Sequence, residues 1–241
     1  MAKIVSLRFA LPALGMIALL GAVALLWQPD RRLHVHALNV DDGPIFVQTP
    51  SGRQILIGGS NSPSALLAAL GARMPFWDRD LDLIVVQRAD ARSLKGLLAV
   101  VDRYHIGQIV SVEVADNRTS REWLDVITAQ SIETLEAGSS IGVDDGVVVT
   151  LDEGGWAPIA AGGTSIGTGM PNQQSRADVV FLDHVSDEIA EWIKLIRPQI
   201  IVAQELLDAE FAPEGVALIV ANTYAVELVF DGVQWMIQES R

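Results

Sequence analysis

The sequence predicts an α/β protein, a layered sandwich of mixed sheets and helices that is preceded by one N-terminal transmembrane helix. Three observations support this fold class. An uncharged apolar stretch occupies residues 9–27. Short segments of alternating apolar and polar residues, separated by turns, fill 33–57. Apolar strand-like segments then alternate with amphipathic helical segments, which is typical of layered α/β domains. We therefore divide the chain into a membrane anchor with a short linker, 1–32, and one soluble domain, 33–241.

The apolar stretch has the length of a membrane-spanning helix. Its 19 residues, 9–27, would extend roughly 28 Å as a helix, close to the hydrocarbon thickness of a bilayer. A cleaved signal peptide is the alternative, because Ala22, Val23 and Ala24 have the small-x-small form, but Leu25 follows where a polar mature start is usual. A retained anchor fits better. We expect a single-pass protein of the cell membrane whose C-terminal domain is extracytoplasmic.

The first part of the soluble domain reads as three strands joined by short turns. Residues 33–40 alternate with period two, the pattern resumes at 45–48, and a third strand follows at 53–57. The turns between them contain Asp41–Pro44 and Thr49–Gly52, both rich in turn-forming residues. Connections this short predict an antiparallel meander.

The rest of the chain alternates strands with helices. Helices are predicted at 65–70, 94–104, 121–131 and 189–196. Strands are predicted at 81–86, 106–114, 146–151, 179–182, 200–203, 216–221 and 226–235. The stretch 160–174 is rich in Gly, Ser and Thr and is predicted to be a loop. The order strand, helix, strand over 81–114 predicts a βαβ unit with parallel strands.

Charge and cysteine content exclude several classes of function. The chain has 17 basic and 30 acidic residues and a net charge of −13. Two of the bases and none of the acids precede residue 28, so the remainder has 15 bases, 30 acids and a charge of −15. Nucleic-acid binding depends on Lys and Arg that neutralise phosphates, so nucleic acid is not the expected partner. The absence of cysteine excludes disulfides, zinc–cysteine sites and thiol catalysis.

Three short motifs occur in a specific order at the start of the soluble domain. They are LNVDDGP at 38–44, TPSG at 49–52 and LIGGS at 56–60. In this order they resemble the metallo-β-lactamase-like domain that ends ComEC-type DNA-uptake proteins, whose motifs have the forms LDVGQGD, TPDG and LIDGG. The resemblance covers 33–241. It implies a metallo-β-lactamase-like αββα sandwich and a relation to the competence machinery.

The resemblance stops at the metal-binding motif. The family carries HxHxDH after a buried strand, whereas 87–93 reads QRADARS. Aligned on Gly96, the four ligand positions are occupied by Arg88, Asp90, Arg92 and Ser93. The family's TGD, whose Asp bridges the metals, corresponds to AGG at 161–163. The resemblance therefore implies a domain without metal ligands, so we expect no metal, no cofactor and no catalytic residue.

One histidine of the family's second motif is retained. The family carries HHGS after a strand, and this chain has DHVS at 183–186, which keeps His184. The predicted vestigial cleft comprises Arg88, Asp90, Arg92, Ser93 and His184. Two interpretations stay open for its arginines, which either bind an anion or pair with Asp90 inside the domain. His184 is either a general base or a structural histidine.

A second pair of histidines lies near the start of the domain. His34 and His36 are two residues apart on a predicted strand, so both side chains lie on one face. Such a pair is half of a metal site, but it lies upstream of the family's site and the sequence offers no third ligand. We interpret the pair as exposed strand histidines.

Two classes of function follow. The first is a membrane-anchored pseudo-enzyme that binds or scaffolds a protein partner not identified by the sequence. The second is a hydrolase of the nuclease or phosphodiesterase type with a divergent site. The loss of four ligands at once favours the first, because a two-metal hydrolase needs converging imidazole and carboxylate ligands.

Overall fold

The computed structural model describes residues 29–172, 174–205, 207, 211–221 and 225–240. The predicted membrane anchor at 9–27 lies outside the described residues. Of the helices that are described, none has both the length and the apolar character needed to cross a membrane.

The first sheet has eight strands and carries both termini of the soluble domain. Its strands are β1 Leu33–Ala37, β2 Ile45–Gln48, β3 Gln54–Ile57, β4 Asp80–Val86, β5 His105–Ser111, β6 Glu133–Glu136, β14 Ala225–Phe230 and β15 Trp235–Ser240. They lie in the order β15-β14-β1-β2-β3-β4-β5-β6. Strands β15 to β3 pair antiparallel and β3 to β6 pair parallel. The predicted meander and the predicted βαβ unit are both confirmed.

The second sheet has seven strands and is also mixed. Its strands are β7 Ser140–Asp144, β8 Val147–Thr150, β9 Ala157–Ala161, β10 Thr164–Thr168, β11 Val179–Leu182, β12 Ile200–Ala203 and β13 Ala217–Val220. They lie in the order β13-β12-β11-β10-β9-β8-β7. Strands β10 to β13 pair parallel, and β7 to β10 pair antiparallel.

Three buried apolar clusters define four layers. One cluster lies between the sheets, where residues such as Val35 and Leu83 of the first sheet meet Ile159 and Phe181 of the second. A second cluster joins the outer face of the first sheet to three helices, and a third joins the second sheet to one helix. The helices are α1 Pro63–Arg73, α2 Ala91–Arg103, α3 Arg118–Ala129 and α4 Asp187–Ile196. The predicted α/β sandwich is confirmed, with helices outside two mixed sheets.

The predicted loop at 160–174 is wrong over its first half. It contains the end of β9 and all of β10, which pairs with β9 on one side and β11 on the other. Gly162 and Gly163 both have positive φ and form the tight hairpin turn between β9 and β10. Gly167 is a packing residue, because a Cβ there would collide with the ring of Trp156. The glycines that suggested a loop have two other roles. Gly162 and Gly163 form a turn, and Gly167 allows the close approach of Trp156.

The predicted single strand at 226–235 is two strands. The first of these, β14, ends at Phe230, and a turn leads from it into β15. The carboxylate of Asp231 accepts hydrogen bonds from the backbone N–H groups of Val233 and Gln234, both at 2.9 Å, which stabilises the turn. Strands β6 and β7 were not predicted. In β6 the side chains are largely exposed and only Leu135 is apolar. In β7 the apolar alternation is limited to Ile141 and Val143, which is a short signal.

Candidate functional site

A small cavity opens between the sheets where their parallel strands end. Its volume is about 120 Å³. The wall is formed by the segments that follow β3, β4, β11 and β12, together with the turn after β1. Crevices at the carboxyl ends of parallel strands are the usual ligand sites of α/β proteins. Its polar wall residues include Asp42, Gln87, Arg88, Asp183, His184 and Gln204.

Arg88 joins the two sheets across the mouth of this cavity. One guanidinium nitrogen donates to Oδ2 of Asp183 at 2.8 Å, and the other lies 3.2 Å from Oδ1 of Asp42. The planar fork of arginine suits such a double contact. The predicted internal Arg–Asp pair is present at Arg88, but its partners are these two residues and not Asp90. Since the arginine side chain is 45% exposed, the contacts are only partly shielded from water.

The predicted cleft residues do not all meet. Arg88, Ser93 and His184 line the cavity, whereas Asp90 and Arg92 lie outside its wall. The carboxylate of Asp90 accepts hydrogen bonds at 2.9 Å from the backbone N–H groups of Arg92 and Ser93, so it is the N-cap of α2. Arg92 is exposed.

The motif LIGGS at 56–60 packs directly against α2. The backbone N–H of Gly96 donates to the carbonyl oxygen of Ser60 at 2.8 Å. A Cβ at Gly96 would lie 2.5 Å from that oxygen, and a Cβ at Gly59 would collide with the carbonyl of Ser93. Two glycines are therefore required where the strand end and the helix approach each other.

His184 lies at the rim of the cavity, and its partner is Glu205. Its Nδ1 is 3.2 Å from Oε1 of Glu205, and its side chain is 67% exposed. An ion pair this open to solvent contributes little to stability. The pair has the geometry of a histidine base with a carboxylate that orients it.

Two glutamine side chains that were not predicted as site residues also line the cavity. Gln87 donates from Nε2 to the carbonyl oxygens of Gly155 at 3.1 Å and Thr168 at 2.8 Å. Gln204 donates from Nε2 to the carbonyl oxygen of Leu38 at 3.1 Å. Each amide connects one sheet to the other. Each glutamine directly follows a predicted buried strand, β4 or β12. This position could have indicated that both lie at the carboxyl ends of the strands, where the cavity is.

The cavity wall does not fit the metal ions that the intact motifs of the ComEC-type family would bind. Among the described residues there, no three His, Asp or Glu side chains bring ligand atoms within 4.8 Å of one another. The guanidinium of Arg88 lies between Asp42 and Asp183 and already neutralises the carboxylates that a metal would need. A permanent positive charge at this point opposes a dication.

The histidine pair on β1 has a third neighbour from a distant strand. His34, His36 and Glu227 bring one potential ligand atom each within 4.8 Å of the others. The interpretation as exposed histidines is wrong for His36, which is 5% exposed. Burial lowers the pKa of its imidazole to about 4, although Glu227 acts in the opposite direction. The hydrogen bond from His34 holds the pKa of Glu227 below its usual value.

No family model and no curated protein matches the chain. Solved structures are similar to parts of it. Zinc-bound PqqB from Methylobacterium extorquens is 16% identical with a TM-score of 0.45, over 68% of this chain and 57% of PqqB, so the chain spans less than two thirds of that protein. A protein described as a zinc-dependent hydrolase of the metallo-β-lactamase superfamily, from Thermotoga maritima, is 9% identical with a TM-score of 0.39, over 79% of this chain and 82% of that one. The Rm3 metallo-β-lactamase is 14% identical with a TM-score of 0.41, over 67% of this chain and 71% of that one. These scores assign no family to the chain.

Proposed function

We propose that the chain is a non-catalytic, membrane-anchored module of the metallo-β-lactamase fold, related to the ComEC-type domains, that binds or scaffolds a protein partner. The observation that carries the proposal is the position of Arg88 between Asp42 and Asp183 at the cavity mouth. The resemblance implies that the family's metal-binding motif would stand after β4, the position that Arg88 occupies here. This internal cation takes part in holding the cavity mouth together.

The family relation rests on the order of three motifs and on the layers of the fold. LNVDDGP forms the turn between β1 and β2, and TPSG forms the turn between β2 and β3. In the second turn, the backbone N–H of Gly52 donates to the carbonyl oxygen of Thr49 at 2.8 Å. LIGGS ends β3 against α2. Each motif thus lies at a turn or a close approach that its residue types suit.

A test of catalysis compares the full chain with two variants. We expect the detergent-solubilised protein to hydrolyse neither bis-p-nitrophenyl phosphate nor nitrocefin above background, with or without added Zn²⁺ or Mn²⁺. Asp183→Asn and His184→Gln should leave this result and the metal content of the dialysed protein unchanged. Metal-dependent turnover that either variant abolishes would overturn the proposal and support a divergent hydrolase.

The divergent hydrolase remains the second candidate because of the pair formed by His184 and Glu205. Their 3.2 Å contact at the cavity rim has the arrangement of a general base and its orienting carboxylate. A hydrolase that uses this pair would lose activity in Glu205→Gln as well as in His184→Gln. Equal background rates in the unaltered protein and both variants would exclude it.

The membrane attachment is tested separately. The uncharged stretch 9–27 supports a retained anchor. We expect the full chain to fractionate with membranes and to remain there after washing with high salt or carbonate, because neither treatment removes a spanning helix. A mature form that begins near Leu25 and is recovered outside the membrane fraction would indicate a cleaved signal peptide.

A further inference from the structure

Strands β1 and β14 bring three potential metal ligands together on the outer face of the first sheet. His36 and Glu227 are directly opposite each other in the antiparallel register, and His34 is two residues along the same strand. The alternating residues Val35 and Ala37 lie in the core between the sheets, so the histidines face the other way. Glu227 is 193 residues from His34 in the chain, so the cluster exists only in the folded protein.

The distances approach those of a bound metal. Nδ1 of His34 lies 2.7 Å from Oε1 of Glu227, and Nε2 of His36 lies 4.0 Å from the same oxygen. A tetrahedral zinc ion with bonds of about 2.0–2.1 Å holds its ligand atoms about 3.3 Å apart. The two observed separations bracket this value, and all three ligand atoms lie within 4.8 Å of one another.

The imidazole of His36 is held in a fixed, buried position. It is 5% exposed and is stacked against Phe46, with 5.9 Å between ring centroids. Its Nδ1 is buried and has no hydrogen-bond partner in the described part of the chain. The other two groups are partly open to water, with 22% of the His34 side chain and 18% of the Glu227 side chain exposed.

We propose that His34, His36 and Glu227 form a site for a divalent zinc-type ion that connects β1 to β14, apart from the cavity between the sheets. Two imidazoles and one carboxylate match the preferences of Zn²⁺, with water as the fourth ligand at the exposed side. The ion would cross-link the first strand of the domain to the C-terminal hairpin and stabilise the pairing of β1 with β14.

The experiment titrates the dialysed, detergent-solubilised full chain with Co²⁺ and Zn²⁺. Co²⁺ should produce the visible absorption bands of a tetrahedral site at one equivalent, and Zn²⁺ should displace it and raise the melting temperature. Glu227→Gln and His34→Gln should each weaken binding by about tenfold or more, because each removes one of three ligands. Circular dichroism of each variant establishes that it is folded.

Matched histidine controls separate this site from the rest of the molecule. His105→Gln, whose ring is paired with Asp80 at 3.4 Å, should bind both ions as the unaltered chain does, and so should His184→Gln. The proposal fails if His34→Gln and Glu227→Gln bind unchanged. Loss of binding in His184→Gln would instead place the ion in the cavity and contradict both proposals.

Discussion

Arg88 illustrates what a sequence can and cannot reveal about a single residue. Its position after a buried strand, and the absence of a metal ligand there, were readable from the motif at 87–93. Its partners were not, because Asp42 and Asp183 are 46 and 95 residues away. The nearer carboxylate of Asp90 instead satisfies the N-terminal N–H groups of α2, where a carboxylate is strongly favoured. Local helix capping thus determined which aspartates remained for the arginine.

The first prediction concerns the contribution of Arg88 to stability. Arg88→Met should lower the free energy of unfolding by about 1 kcal/mol, because it leaves Asp42 and Asp183 without their shared cation and the site is partly exposed. Arg92→Met is the matched control, since Arg92 makes no salt bridge with any described residue and should change stability by less than about 0.5 kcal/mol. Urea unfolding measures both. Equal losses in the two variants would show that the contacts of Arg88 contribute nothing.

The second prediction concerns Asp144, which lies at the end of β7 and contacts the turn between β2 and β3. Burial opposes its ionisation, but hydrogen bonds from Ser51 and Thr49 outweigh this and lower its pKa from 3.8 to about 2. The backbone N–H of Ser51 donates to its Oδ2 at 3.0 Å. A group whose pKa is lower in the folded state stabilises the fold above its unfolded pKa, and this contribution is lost as the pH falls.

Asp144→Asn should therefore be less stable than the unaltered chain at pH 7, by about 0.5 kcal/mol because the group is well solvated. The difference should shrink as the pH falls from about 4 to 2. Asp145→Asn removes the same charge from the adjacent exposed residue and should show no such convergence. Thermal unfolding across this pH range measures the effect, and a difference independent of pH would refute it.

At the scale of secondary structure, the elements predicted correctly are those with a strong apolar pattern. The strands at 45–48, 179–182 and 200–203 have the predicted bounds because each is a short apolar run with buried side chains. The failures have a different cause. Strand β10 has the sequence TSIGT. Its glycine, Gly167, leaves room for the ring of Trp156 and does not form a turn. Packing partners of this kind are not visible in a local pattern.

The third prediction tests that explanation. Gly167→Ala should destabilise the domain by about 2 kcal/mol, since its Cβ would overlap the buried ring of Trp156 in a filled core. Gly142→Ala in β7 is the control, because a Cβ there meets no atom within 4 Å. It should change the free energy of unfolding by less than about 0.5 kcal/mol. A tolerated Gly167→Ala would mean that β10 shifts freely against the ring.

At the scale of the whole molecule, the sandwich was predictable and the two polar clusters were not. The meander, the βαβ unit and the layers follow from apolar periodicity and from short connections. The His34–Glu227 contact depends on the pairing of β14 with β1, which are strands from opposite ends of the domain. The sequence pattern alone did not specify that pairing. It therefore showed two ligands on one strand and not the third beside them.

The last prediction concerns DNA, which the resemblance to DNA-uptake proteins invites as a ligand. The region after residue 28 carries −15, and this charge repels a polyanion most strongly at low salt, where screening is weakest. Arg88, the cation at the cavity mouth, is paired with two carboxylates and has little charge to offer a phosphate. Arg92 and Lys95 are exposed on α2, and together they would neutralise about two phosphates, which gives weak and salt-dependent binding.

We therefore expect no binding to single- or double-stranded DNA at physiological salt, with a Kd weaker than about 100 μM, the loose end of non-specific protein–DNA affinity. Fluorescence anisotropy with short labelled oligonucleotides measures it on the full chain. Micromolar binding that the double variant Arg88→Glu, Arg92→Glu abolishes would contradict this expectation and identify the cavity mouth as a DNA site. Micromolar binding that survives the double variant would contradict it as well and place the contact elsewhere on the domain.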